Sequence, residues 1–173
     1  MNRKIILING VAGSGKSSLA AYIQEELENI NKICLIAHNA DSVKRLAKDY
    51  FGWDGIKDFK GRQLLINLSN LGYEYDEFFW EKKNIINEVS RTICVIPDFR
   101  FHKTFEYFKK EGDDIVTVHI TRPNFENGLD EKLKKDKSEQ GFKDFIFDFE
   151  VVNNSLDDLK YAAKKIVEKL MEK

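Results

Sequence analysis

The chain has 173 residues, 42% of them hydrophobic, a length and apolar share that suit one domain with a sizeable core. Its formal net charge is −1, so no global basic field draws it to nucleic acid or to an anionic membrane surface. No apolar stretch approaches a membrane span, and the N-terminal apolar run is too short for a signal peptide; a cytoplasmic location is expected, with neither nucleic acid nor membrane as partner.

Lys4–Asn9 opens the chain as a short apolar run of strand type. Gly10-Val11-Ala12-Gly13-Ser14-Gly15-Lys16-Ser17 follows and fits the P-loop pattern G-x-x-x-x-G-K-[ST] without a substitution. Ser18 to Leu27 then places apolar residues at helical spacing. Strand, glycine loop and helix are what phosphate binding needs. Glycines bring backbone N–H groups close to phosphate oxygens, and the helix N-terminus adds partial positive charge. The expected ATP contacts are Gly10, Val11, Ala12, Gly13, Ser14, Gly15, Lys16, Ser17 and Ser18, with Lys16 on the β- and γ-phosphates and Ser17 on Mg²⁺.

Lys32–Ala37 is the second strand candidate. The interval 38–91 is too long for one crossover. It holds a helical pattern near Ala40–Phe51 with Asp41 as expected N-cap, a turn at Gly52-Trp53-Asp54-Gly55, and helices expected at Gly61–Leu71 and Asp76–Glu88. Asp41, Lys44, Arg45 and Arg62 lie at its helix starts. A single basic residue there is usually a solvated charge, whereas three in an insert of a P-loop protein suit a phosphate clamp.

The third strand, Thr92–Pro97, runs into Asp98-Phe99-Arg100. A single Asp after the strand can order magnesium-bound water, and an Arg two residues on can grip an acceptor phosphate or the transferring group. This strand does not end in the adjacent Asp-Glu of motor and transporter ATPases, and the N-K-x-D guanine motif of GTPases is absent. A small kinase fits best. A phosphate acceptor is already anionic, so no catalytic histidine is required. His38, His102 and His119 are read as surface or strand residues, with His38 the one near the expected site.

Ile115–Thr121 is the fourth strand candidate. The charged segment 122–143 has Gly128 and Gly141 near its ends and Lys132, Lys134, Lys135 and Lys137 between them. A mobile lid meeting phosphates and a solvated helix with balanced charge both fit it, and the lid is expected for the segment as a whole. Phe145–Val152 is the fifth strand candidate, and Ser155–Lys173 a final helix capped by Ser155. Strands alternating with helices give an α/β fold with a parallel sheet covered on both faces. Cys34 and Cys94 sit in apolar runs without metal-ligand spacing and are expected as buried free thiols.

These residues resemble the deoxynucleoside monophosphate kinases of phage type, within the nucleoside monophosphate kinase branch of P-loop proteins. The resemblance covers nearly the whole chain. It rests on the P-loop, on Asn39–Trp53, Lys60–Ser69, Ile96–Arg100 and His119–Pro123, and on Val151–Asn154. It implies a P-loop αβα sandwich with a five-stranded parallel sheet in the order 2-3-1-4-5. It also implies one domain over 1–173, with an acceptor insert at about 38–91 and a lid at about 122–143. The implied reaction is transfer of the ATP γ-phosphate to a (deoxy)nucleoside 5′-monophosphate, with ATP and Mg²⁺ as cofactors. Lys16, Asp98, Arg100 and Arg122 are the implied catalytic set, Ser17 and Asp98 the magnesium set, and Asp41, Lys44, Arg62, Arg100 and Glu139 the acceptor set. Small nucleotides are the expected partners, and a homodimer is compatible with the reading. Two other functions stand beside it. One is a kinase for another small molecule such as dephospho-coenzyme A, which would need Asp41 or Asp98 as base. The other is a nucleotide-binding regulatory module without turnover.

Overall fold

The computed structural model describes residues 3–85, 93–123, 142 and 144–172. Within these the chain divides into two compact units, one of residues 1–36 with 89–173 and the other of residues 37–88.

The first unit is built on a five-stranded, all-parallel sheet of β1 (Lys4–Asn9), β2 (Cys34–Ile36), β3 (Ile93–Ile96), β4 (Asp114–Thr121) and β5 (Phe149–Val152). Its spatial order is β2-β3-β1-β4-β5, as expected. Strands with both faces covered need apolar residues on both, and Ile5, Ile6, Leu7 and Ile8 are all fully buried. One face carries Ile6, Ile8, Val95, Val118 and Ile120. It packs against α1 (Lys16–Asn29) through Leu19, Ala20, Ile23 and Leu27, and against α6 (Leu156–Glu172) through Leu159, Ala163, Ile166 and Leu170. Both helices bury residues three and four apart, one stripe of a 3.6-residue period. Ser155 caps α6: its Oγ accepts the Asp158 N–H at 3.2 Å, while Asp158 Oδ2 accepts the Asn154 N–H at 3.2 Å.

α5 (His102–Lys110) joins β3 to β4 and buries Thr104, Tyr107 and Phe108. Beside it Phe99, His102, Phe105, Phe142, Phe145 and Phe147 form a connected aromatic cluster. This cluster corrects the fifth strand. Alternating Phe145, Phe147, Phe149 and Val151 predict a strand from Phe145, but pairing with β4 starts only at Phe149 opposite Val118. Asp148 Oδ2 accepts both the Thr117 N–H at 2.8 Å and its hydroxyl at 2.7 Å, and Thr117 Oγ1 accepts the Asp148 N–H at 3.0 Å. The side chain thus takes the ladder position that a backbone carbonyl would occupy, and Phe145 and Phe147 turn into the aromatic cluster.

The second unit is helical: α2 (Asn39–Phe51), α3 (Phe59–Tyr75) and α4 (Phe79–Ile85). Its small core joins Val43, Ala47, Leu68 and Trp80. Gly72 lets the Trp80 indole approach α3, since a Cβ there would lie 2.5 Å from Nε1. Helix starts differ from expectation: α4 begins at Phe79 rather than Asp76, whose Oδ1 accepts the Phe78 N–H at 2.9 Å. His38, not Asp41, occupies the N-cap position of α2, and Asp41 falls in the first turn, where its N–H donates to His38 O at 3.0 Å. α3 starts at Phe59 rather than Gly61, because Asp58 Oδ1 accepts the Gly61 N–H at 2.7 Å and caps it.

Both cysteines are free. Burial pushes the Cys34 thiol up to about 11 and the Cys94 thiol up to about 12, so each stays protonated at neutral pH. At pH 8 alkylation should therefore run roughly a hundredfold slower than for a thiol of ordinary pKa near 8.5. It should recover in denaturant. Equal labelling of native and unfolded protein would remove this reading.

Candidate active site

β1 ends at Asn9, and the chain turns through Gly10, Gly13 and Gly15 at φ +152°, +80° and +107°. The turn requires glycine for space as well as for angle. A Cβ on Gly10 would lie 2.4 Å from the Ile120 carbonyl oxygen, and one on Gly15 2.5 Å from Asn153 Nδ2. Gly15 stands in the N-cap position of α1 and brings no side-chain cap to the positively polarised end of that helix. Lys16 folds back over the loop, donating from Nζ to Gly10 O at 2.6 Å and Val11 O at 2.7 Å. Ser17 and Ser18 follow in the first turn of α1 and are exposed, as are Val11 and Gly13; Ala12 is half-buried. Ser14 is buried inside the loop, where its N–H donates to Val11 O at 3.2 Å.

Asp98 and Arg100 stand at the carboxyl end of β3, the immediate neighbour of β1. β3 ends at Ile96, opposite Leu7, and the chain turns at Pro97 and Asp98 before Phe99 meets the end of β1, where the glycine loop begins. Phe99 between them is 1% exposed. Its N–H donates to Ile8 O at 3.2 Å, and its carbonyl accepts Asn9 Nδ2 at 2.8 Å. The Asp and the Arg therefore flank a backbone pivot bonded to the strand that launches the P-loop.

Arg122 follows β4 directly, with Nη1 3.5 Å from Gly13 O. It borders a cleft of about 460 Å³ with Gly13, Gly15, Lys16, Ser17, Asn153 and Leu156. That volume lies in the range of small-ligand sites. Asn153 was given no role by the sequence reading, yet it is a structural member of the loop. It is 7% exposed, its N–H donates to Thr121 O at 2.8 Å, and its Nδ2 donates to Ser14 O at 2.8 Å. Its one signal in the sequence is the polar pair Asn153-Asn154 closing an apolar strand just before a capped helix.

Of the candidate acceptor residues, Asp41, Lys44 and Arg62 lie in the helical unit. Asp41 and Lys44 form an ion pair at 3.0 Å on the first turns of α2. Arg62 is exposed in the first turn of α3 and donates from Nε to Lys57 O at 2.9 Å. Arg45 is exposed on α2. Glu139 and the lid residues 124–141 lie outside the described residues. His119 is a strand residue, as expected, with Nδ1 2.8 Å from Asn9 Oδ1. Among the described residues no group of three or more His, Cys, Asp or Glu is gathered as a metal-binding set, and no helix is long and apolar enough to cross a membrane.

No family model and no curated protein matches the sequence. Among solved structures the chain is similar to the APS kinase of Mycobacterium tuberculosis in complex with AMPPNP and APS, at 14% identity, 99% coverage of both chains and a TM-score of 0.55. A cysteine-to-alanine mutant of APS kinase from the same organism gives 16% identity, 99% coverage of both chains and a TM-score of 0.50. The fold is accordingly the P-loop αβα fold that these kinases have. The particular reaction is a matter for the site.

Proposed function

We propose that the chain is an ATP-dependent phosphotransferase whose acceptor is a (deoxy)nucleoside 5′-monophosphate, converted to the diphosphate. One observation carries the reading: a glycine-built phosphate loop ending in Lys16, with an Asp98–Arg100 turn bonded to the same strand end. On this reading the loop N–H groups and Lys16 hold the ATP phosphates, and Lys16 exchanges its two carbonyl acceptors for phosphate oxygens. Arg122 and the Asn153 cleft take the rest of the nucleotide. Ser17 and Asp98 offer the hard oxygen donors that suit magnesium, which would neutralise phosphate charge there. Arg100 holds the acceptor phosphate near the transferring group, and Arg62 and Lys44 of the helical unit, the proposed acceptor insert, hold the acceptor. An acceptor phosphate needs positioning and charge neutralisation rather than a base, which agrees with the cations Lys16 and Arg122 at the loop. A hydroxyl acceptor would instead need Asp41 or Asp98 as base; Asp41 is ion-paired with Lys44, and this reading gives Asp98 to magnesium.

An acceptor panel with ATP and Mg²⁺, read as ADP production, tests the reading. A nucleoside monophosphate should stand out. Arg62→Ala and Arg100→Ala should each lower kcat/KM for it by about thirtyfold, the loss of one charge-assisted contact of roughly 2 kcal/mol, while ATP affinity changes little. Wild-type kinetics in both variants, or turnover only with a hydroxyl acceptor such as dephospho-coenzyme A, would replace this acceptor with another small molecule. No turnover with any acceptor, at intact ATP affinity, would leave a regulatory module.

A further inference from the structure

We propose that Asn9, oriented by His119, is the positioning residue that sets the Asp98–Arg100 turn against the P-loop. Asn9 is the last residue of β1 and 9% exposed. Its carboxamide bridges the turn after β3 and the side chain of His119 within β4. Nδ2 donates to the Phe99 carbonyl at 2.8 Å, and Oδ1 lies 2.8 Å from His119 Nδ1 on β4. Asn9 and His119 are direct register partners, so the contact needs no displacement of either strand.

The chemistry of the amide fixes its orientation. An amide oxygen only accepts, so His119 must present Nδ1 as N–H. A flipped amide would set Oδ1 against the Phe99 carbonyl, two acceptors face to face, and lose that bond whichever tautomer His119 takes. The His119 ring is in turn held over Phe147, with centroids 5.1 Å apart and planes at 33°. Phe99 has no other freedom: its N–H is bonded to Ile8 O, and its ring is buried against Phe142 and Phe145. The Asn9 amide is the contact made to the Phe99 carbonyl itself, the peptide group between Phe99 and Arg100. Groups that hold metal- and phosphate-facing residues in place commonly affect affinity or rate by about ten- to a hundredfold when lost.

This inference rests on the proposed role of Asp98 with magnesium and nucleotide, not on the identity of the acceptor. Its test therefore uses Mg²⁺-dependent binding of a fluorescent ATP analogue beside turnover. Asn9→Asp keeps shape but turns the donor to Phe99 into an acceptor. His119→Phe keeps a ring for Phe147 but removes Nδ1–H, and it serves if Asn9→Asp does not fold. The Mg²⁺ concentration giving half-maximal binding should rise about tenfold in Asn9→Asp and severalfold in His119→Phe, while binding of the analogue without Mg²⁺ changes less than about threefold. A purely structural role would lower the melting temperature and leave the Mg²⁺ dependence unchanged. That result in a folded variant overturns the inference, as does a wild type that binds no nucleotide. A wild type that binds Mg²⁺ and nucleotide but transfers phosphate to no nucleoside monophosphate defeats the acceptor reading alone.

Discussion

Lys16→Ala is expected to reduce phosphotransfer by a factor of about 10² to 10³ without unfolding the protein. Lys16 is the loop's own cation at the first position of α1, so on the proposed reading removing it subtracts charge from the ATP phosphates. The fold should tolerate the change. Lys16 is half-buried rather than core, and its Nζ donates to Gly10 O and Val11 O within the loop itself. A melting curve and a circular dichroism spectrum would establish folding, and ADP release would report turnover. Undiminished turnover in a folded Lys16→Ala protein would sink the assignment of the loop to ATP.

Gly10→Ala attacks the same loop through sterics instead of charge. The new Cβ would stand 2.4 Å from Ile120 O, 2.7 Å from Ser14 Oγ and 2.8 Å from Ile120 Cγ2, at φ +152°. Ile120 belongs to β4, hydrogen-bonded between β1 and β5, and its carbonyl cannot retreat as a surface side chain could. Backbone strain and overpacking together should cost about 4 kcal/mol, a fall of roughly 10 °C in Tm for a chain of this size. Nucleotide affinity should be lost alongside. Gly52→Ala is the control. Gly52 also has positive φ, +63°, but a Cβ there meets nothing within 4 Å, so the cost should be only about 1 kcal/mol. Equal melting shifts in the two variants would show that backbone angle alone, and not the close approach of β4, governs Gly10.

The sheet and the loop were legible because their information is local. β1 reads as an apolar run closed by glycine, and its structural bounds, Lys4–Asn9, are the expected ones. The eight residues of the P-loop pattern carry their own geometry, since positive φ at Gly10, Gly13 and Gly15 is the conformation glycine allows. What was illegible depends on distant partners. The alternation Phe145 to Val151 is the same whether the phenylalanines face a sheet layer or a ring cluster, and the hydroxyl of Thr117, 31 positions from Asp148, decides it. Asp41 has the chemistry of a cap, but the chain enters the helix two residues earlier, at Asn39. Asn153 meets Ser14 across 139 positions of sequence, a contact that only the strand order creates. The order 2-3-1-4-5 itself came from resemblance, because periodicity does not rank parallel strands.

The clasp between Asp148 and Thr117 acts as the zero mark of a ruler. From Asp148 the chain runs through β5 to Asn153, five residues and about 16 Å of extended backbone later. Pairing that slipped by two residues would keep every side chain on its proper face, so the apolar pattern of Phe149 and Val151 does not forbid it. Such a slip would carry Asn153 about 6.6 Å along the sheet, far beyond its 2.8 Å bond to Ser14 O. The paired hydroxyl and carboxylate discriminate between registers that hydrophobicity leaves equivalent, and they do so at the end of β5 remote from the phosphate loop. An error at the clasp would reach the nucleotide cleft as a length.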